Sequence, residues 1–178
     1  MSDISPPVRS AIPGDAPRLA VLGLQVWLHT YAWNGISDSI AHYVQQEFTT
    51  AQFEALIADP TSQVTLLEQG ENIIAYITLN HGKRFVDEHS GVAIDVATEV
   101  ATLYVQAHFL RKGLGQRLLD HACAELAQAG RSPALWLKVN AQNLNAQRFY
   151  LAQVFVQEGE TDFMLDGVAH RNWVMVKR

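Results

Sequence analysis

Leu103-Tyr104-Val105-Gln106-Ala107-His108-Phe109-Leu110-Arg111-Lys112-Gly113-Leu114-Gly115-Gln116 is the run on which the reading of the fold turns. The β-rich residues ending in Leu103-Tyr104-Val105 predict a strand. Leu114, Leu118, Ala122 and Leu126 then recur every four residues along a helix that starts near Gly113. A strand leading through a short loop into such a helix presents backbone N–H groups that lack intrahelical acceptors, at the positive end of the helix dipole. Gly113 and Gly115 keep a Cβ out of the way of an approaching phosphate oxygen, and Arg111 and Lys112 add formal positive charge. The unit suits a pyrophosphate. The same glycines also fit a tight turn and close helix–sheet packing, and the loop alone leaves both readings open. Leu118 occupies the third glycine position of a dinucleotide fingerprint, and no Walker A pattern is present, so those two readings lose ground.

Downstream, Ala134 to Asn140 predicts a strand with Leu135, Leu137 and Val139 on one face. A short helix from about Asn143 to Ala152 follows, and on it Asn143, Ala146 and Tyr150 share a face. That face offers an amide, a gap and a phenol. An N-cap by Asn143 and a core aromatic at Tyr150 account equally well for these residues. Upstream, the pattern predicts a strand over Val8–Ile12 and a turn at Pro13-Gly14-Asp15, with Asp15 as N-cap of a helix carrying Leu19, Leu22, Val26 and Trp27. Helices follow from about Ser37 to Gln46 and after Thr49-Thr50, the latter ended by Asp59-Pro60. Strands Gln63–Glu68 and Ile73–Asn80 form a hairpin, His81–Gly91 reads as a polar loop, and Val92–Val105 as one long β stretch. Two last strands are expected near Val154–Glu158 and Ala169–Val176. The order predicts a mixed α/β domain, with residues 1–7 as a flexible leader and 8–178 as one domain.

Composition bounds the function. The chain has 178 residues, 48% hydrophobic and 17% charged, enough for one core without staples. Thirteen Lys and Arg against 18 Asp and Glu leave a formal charge of −5, which lacks the electrostatic footprint of a nucleic-acid binder and mildly favours cationic small molecules. The single Cys123 forms no internal disulfide, and no Cys/His spacing suits a metal. No apolar run spans a bilayer and the N-terminus lacks signal-peptide regions, so the cytoplasm is the expected location.

On these residues the chain resembles the GNAT superfamily of acyl-CoA-dependent N-acyltransferases. Gly113 and Gly115 fit its Gln/Arg-x-x-Gly-x-Gly/Ala loop, and Asn143-x-x-Ala146-x-x-Phe149-Tyr150 is similar to its Asn-x-x-Ala-x-x-Phe-Tyr helix. The resemblance runs from about Val8 to Val176. It implies an α+β fold with a central mixed, mostly antiparallel sheet flanked by helices, and acetyl-CoA as co-substrate. It further implies that Leu103, Tyr104 and Val105 pair with the pantetheine arm, and that Arg111, Lys112, Gly113, Leu114, Gly115, Gln116, Asn143 and Tyr150 complete the cofactor site. Two positions depart from the pattern: Leu110 stands where the loop has Gln or Arg, and Val154 replaces the glycine of Tyr-x-x-x-Gly-Phe, which can alter the splay of the next strand. Trp27, Thr30, Tyr31, Asp38, Tyr43, Phe48 and Thr49 loosely resemble the spermine/spermidine branch, as does Glu99–Val105.

The implied reaction is direct attack of a primary amine, a polyamine or another small amine, in a ternary complex. Glu99 is the expected general base, although a salt-bridged strand carboxylate is an equally ordinary reading of it. The resemblance makes Tyr150 the acid that protonates the departing thiolate. Acceptor selection is expected from the helices between Trp27 and Ile57 and from the loop His81–Gly91, with Asp38, Asp87, Glu88 and Asp95 as acids that attract a cation. His108 reads as an exposed loop residue and Cys123 as a packed one. A non-catalytic acyl-CoA sensor and a protein or peptide N-acetyltransferase are the competing functions, and a C-terminal edge strand could pair two subunits.

Overall fold

The computed structural model describes residues 6–87, 91, 93–165 and 167–178; most of the expected leader and Glu88 lie outside them. The elements are β1 (Val8–Ser10), α1 (Ala16–Tyr31), α2 (Asp38–Glu47), α3 (Thr50–Ala58), β2 (Ser62–Gln69), β3 (Asn72–His81), β4 (Phe85–Val86), β5 (Ala93–Ile94), β6 (Thr98–Val105), α4 (Leu114–Gln128), β7 (Leu135–Asn140), α5 (Leu144–Ala152), β8 (Val156–Leu165) and β9 (Val168–Lys177). Single 3-10 turns lie at Pro13–Asp15 and Ala107–Phe109. A seven-stranded sheet runs in the order β1-β2-β3-β6-β7-β9-β8, and β4 and β5 form a separate two-stranded ribbon. β1 with β2, β7 with β9, β8 with β9 and β4 with β5 pair antiparallel, whereas β6 and β7, joined through α4, pair in parallel at Glu99 and Trp136. The sheet is thus mixed and mostly antiparallel, as expected.

The chain divides into two compact units, one made of residues up to Thr78 with Thr102–His121, the other of Leu79–Ala101 and Ala122–Arg178. The first has a core of Leu19, Leu22, Phe53, Val64, Leu66, Ile73 and Tyr76. Its helices start where short polar side chains accept the first orphan donors: Ser37 from Ile40 N–H at 3.3 Å and Thr49 from Gln52 N–H at 3.2 Å. The second unit packs Phe85, Ile94, Val96, Trp136, Val174 and Val176 together.

Three expectations change. Asp15 makes no side-chain cap to α1. Its carboxylate is instead fully buried, accepting from Ile12 N–H at 2.9 Å, from both Arg9 guanidinium nitrogens at 2.6 and 2.9 Å, and from Arg18. Arg9 also grips Glu68 of β2 at 2.6 and 2.9 Å, so one arginine ties β1, β2 and the start of α1. The polar loop after β3 contains β4, and the long stretch that follows is broken at Asp95–Ala97 into β5 and β6. Phe85 and Ile94 pair across the ribbon and are buried, a tertiary gain that outweighs the polar residues around them. β8 starts at Val156 and runs to Leu165, because its backbone pairs with β9 from Val156 to Leu165 with one irregularity at Glu158, and Arg171 neutralises Glu160 and Asp162 at 2.5 and 2.7 Å.

The end of α5 explains Val154. Phe155 N–H donates to Tyr150 carbonyl at 3.0 Å and Val154 N–H to Leu151 carbonyl at 3.1 Å, the paired bonds of a Schellman terminus. The Phe155 and Tyr150 rings pack 5.5 Å apart beneath it. α4 ends in the same way with Gly130 at the left-handed position (φ 67°), whereas α5 places Val154 there at φ 59°, with its side chain 71% exposed. A β-branched residue pays for this conformation with roughly 1–2 kcal/mol and regains nothing by packing.

Val154→Gly is therefore expected to raise stability by about 1 kcal/mol and Tm by about 2–4 °C in a thermal melt. For Asp15, hydrogen bonds from Arg9 hold the carboxyl down from 3.8 to about 2. A folded-state value below the unfolded one gives stabilisation that is complete above about pH 4 and is lost as pH falls towards 2. Urea titrations from pH 5 to pH 2 should show the wild type losing on the order of 2 kcal/mol through this group, and Asp15→Asn should lack that component while starting about 2–3 kcal/mol less stable.

Candidate functional site

In the first unit the loop after β6 is fastened at its start. Gln106 N–H donates to Ile74 carbonyl of β3 at 3.0 Å, and its side-chain amide donates to Gln25 Oε1 of α1 at 3.1 Å. Tyr104, one turn of the pleat earlier, packs edge-on against the buried Tyr76 ring at 5.7 Å, while Leu103 and Val105 are half-buried on the same strand. The 3-10 turn then presents Phe109, and Lys112 Nζ lies 4.8 Å above its ring. Arg111 takes a left-handed conformation at φ 59° and Gly113 another at φ 75°. A Cβ at Gly113 would meet nothing within 4 Å, so the backbone angle, not space, requires glycine there. Gly115 lies inside α4, where the backbone makes no such demand.

Gly113 carbonyl accepts the first helical bond, from Arg117 N–H at 3.0 Å. The N–H groups of Leu114, Gly115 and Gln116 precede that bond and have no acceptor within the helix. Leu114 is buried and anchors the helix start, while Arg111, Lys112, Gly113 and Gln116 are exposed. No acidic residue lies in the first turn. Arg111 and Lys112 thus stand exposed next to these donors, at the positive end of the helix dipole. Such a helix start is electrostatically suited to an anion.

In the second unit, Glu99 of β6 is buried but paired. Its Oε2 accepts from Asn80 Nδ2 at 3.2 Å, and Lys138 Nζ lies 3.5 Å from Oε1. The lysine stem runs along Trp136, with the ammonium 5.8 Å from that ring. Asn143 caps α5, its Oδ1 accepting from Ala146 N–H at 3.1 Å, and the buried Gln147 side chain ties α5 to β7 by donating to Asn140 carbonyl at 3.1 Å. Tyr150 is buried between Phe149 and Phe155, at 5.2 and 5.5 Å between ring centres. The capping role anticipated for Asn143 and the aromatic packing anticipated for Tyr150 are both present.

The residues named from the sequence therefore fall into two groups. Leu103, Tyr104, Val105 and Arg111–Gln116 belong to the first unit; Glu99, Asn143 and Tyr150 belong to the second. The four acids divide differently. Asp38 is exposed in the first turn of α2. Asp87 is buried and accepts from Glu160 N–H of β8 at 3.1 Å, and Gly159 leaves room for it, since a Cβ there would lie 2.8 Å from its Oδ2. Asp95 lies 3.6 Å from Arg84, and Glu88 is outside the described residues. Trp27 of α1 collects Tyr31 at 5.0 Å and Tyr43 at 4.9 Å, and burial raises both tyrosine hydroxyls above their ordinary 10.0. His108 is exposed, and Cys123 Sγ lies 3.6 Å from Pro133 carbonyl.

Asn80 and Lys138 escaped the sequence reading. Their signal was local polarity in apolar strands: Lys138 sits between the buried Leu137 and Val139, and Asn80 follows the buried run Ile73–Leu79. Among the described residues no cluster of three His, Cys, Asp or Glu could hold a metal, and no helix is long and apolar enough to cross a membrane.

The model of the acetyltransferase (GNAT) family matches residues 27–154. An N-acetyltransferase of Mycobacterium tuberculosis is 26% identical over 140 residues, 79% of this chain and 82% of its own. The ribosomal protein bS18-alanine N-acetyltransferase of Escherichia coli is 34% identical over 94 residues, 52% of this chain and 62% of its own. Among solved structures, the PaiA N-acetyltransferase of Thermoplasma acidophilum in complex with coenzyme A superposes with a TM-score of 0.75 at 20% identity, covering 98% of this chain and 99% of that one.

Gly113→Ala introduces no clash but forces a side-chain-bearing residue into the left-handed region. Chemical denaturation should show a loss of about 1 kcal/mol, whereas Gly115→Ala should hold or raise stability.

Proposed function

Because the chain belongs to the acetyltransferase (GNAT) family, we propose that it transfers the acetyl group of acetyl-CoA to the primary amine of a small molecule by direct attack in a ternary complex. The observation that carries this reading is the start of α4, where Arg111, Lys112 and the N–H groups of Leu114, Gly115 and Gln116 form a cationic, donor-rich loop within the region matched to the family. These groups would hold the diphosphate of the co-substrate, which supplies the activated thioester. Leu103, Tyr104 and Val105 would take the pantetheine arm, and Asn143 and Tyr150 its remaining length.

An alkyl ammonium has a pKa of about 10.4 and must lose a proton before it attacks a carbonyl. Glu99 takes that proton, directly or through a water, using a lone pair not engaged by Asn80 or Lys138. A backbone N–H of β6 faces the carbonyl oxygen on which charge develops. Tyr150 gives its phenolic proton to the departing sulfur. The packing of the buried Tyr150 ring against Phe149 and Phe155 supports the reading of a phenol held in place.

A second reading, transfer to the α-amine of a protein or peptide, is favoured by the 34% identity to the bS18-alanine N-acetyltransferase. A thiol-release assay with acetyl-CoA and a panel of amines, polyamines and short peptides separates the two. Free coenzyme A formed with turnover also excludes a non-catalytic sensor, and no release with any acceptor would sink the enzymatic reading.

Tyr150→Phe should lower kcat on the order of 10²-fold with little change in acetyl-CoA affinity, and unchanged turnover would remove the acid role. Gly115→Ala should weaken acetyl-CoA binding in a titration by about tenfold, because a Cβ in the first turn of α4 would crowd a phosphate held by its N–H groups, and alanine inside a helix costs no stability of its own.

A further inference from the structure

Glu99 does not present a bare carboxylate. Asn80 of β3 donates to one oxygen at 3.2 Å, and Lys138 of β7 places its ammonium 3.5 Å from the other. Both flanking strands therefore supply a positive or donating group to the same side chain. Asn80 is neutral, but Lys138 brings a full charge, and it is 47% exposed while the Glu99 side chain is 9% exposed. The ammonium is thus the accessible member of the pair. Its stem lies along Trp136, whose indole N–H donates to Lys83 carbonyl at 2.9 Å, so the charge stands on an anchored platform.

We propose that Lys138 is a specificity-determining residue that selects acceptor amines bearing a neutral or anionic group beside the reacting nitrogen, and disfavours polycations. The proposal rests on the reading of Glu99 as general base. A base must lie within about 3 Å of the nitrogen it deprotonates, or within one intervening water. With Lys138 3.5 Å from the same carboxylate, an acceptor nitrogen in direct contact with Glu99 lies within roughly 9 Å of the ammonium, close to the Debye length of about 8 Å at physiological salt.

Two consequences follow from that distance. The Lys138 charge offsets part of the pull by which the nearer Glu99 carboxylate holds the acceptor as an ammonium, and so eases its loss of a proton. The same charge repels a second ammonium on the acceptor and attracts a carboxylate. A polyamine that brings a second ammonium to Glu99 must set it beside the Lys138 charge, whereas an acidic dipeptide or amino acid can place its carboxylate there with the pair intact. The lean towards polyamines drawn from the aromatic residues of α1 and α2 is thereby reversed in direction.

The test compares kcat/KM for spermidine and for the dipeptide alanyl-aspartate in the wild type and in Lys138→Glu, Lys138→Gln and Lys138→Arg, with thermal melts to establish that each variant is folded. The wild type should prefer the dipeptide. The spermidine-to-dipeptide ratio should rise at least tenfold in Lys138→Glu, mostly through KM, rise less in Lys138→Gln, and stay within about twofold in Lys138→Arg. A ratio that does not move in folded, active Lys138→Glu and Lys138→Gln overturns the proposal and leaves the acetyltransferase reading standing. Absence of coenzyme A release by the wild type with either acceptor and with the wider amine panel overturns both, and that outcome is recognised without any variant.

Discussion

The reading of this protein depends on a helix that begins with donors it cannot use itself. The first N–H groups of α4 have no acceptor within the helix, and the chain leading to them is turned by two left-handed residues, Arg111 and Gly113. Nothing in the first turn competes by offering a carboxylate. The loop is tied to β3 and α1 through Gln106, so its donors are aimed by a bonded backbone. A loop held in this way has little conformational freedom left to lose on meeting an anion.

α5 shows how a fold can keep a turn geometry after losing the residue that suits it. The Schellman bonds at Tyr150 and Leu151 and the ring contact of Phe155 on Tyr150 hold the chain in a left-handed step even though valine occupies it. The strain is local and exposed, while the ring contact beneath it is buried. Packing of Phe155 outweighs the backbone preference of Val154, so β8 starts two residues later than its apolar pattern suggests.

The ion pairs divide by what they hold. Asp15 is wholly buried and shared by two arginines, and it fastens β1, β2 and α1 at a point where a simple helix cap had been expected. Asp87, expected as an attraction for substrate, fastens β8 through its backbone. Glu99 differs because one of its partners, Lys138, keeps its charge within reach of solvent.

The sequence by itself determined most of the order of strands and helices and the loop from Gln106 to Gln116, because these are written in periods and turn residues local to the chain, whereas the mixed sheet was legible only through the family resemblance. It also carried the family, through Gly113, Gly115 and the Asn143–Tyr150 helix. Only tertiary structure decided that Asp15 is a buried knot, that Phe85 and Ile94 form a ribbon inside a polar stretch, that β8 extends to Leu165, and that Asn80 and Lys138 meet Glu99. Several of those outcomes rest on residues distant in the chain, 19 positions apart for Asn80 and Glu99 and 59 for Arg9 and Glu68. The energy of such a contact belongs to the pair, and a pattern read along one strand or helix holds only one half of it.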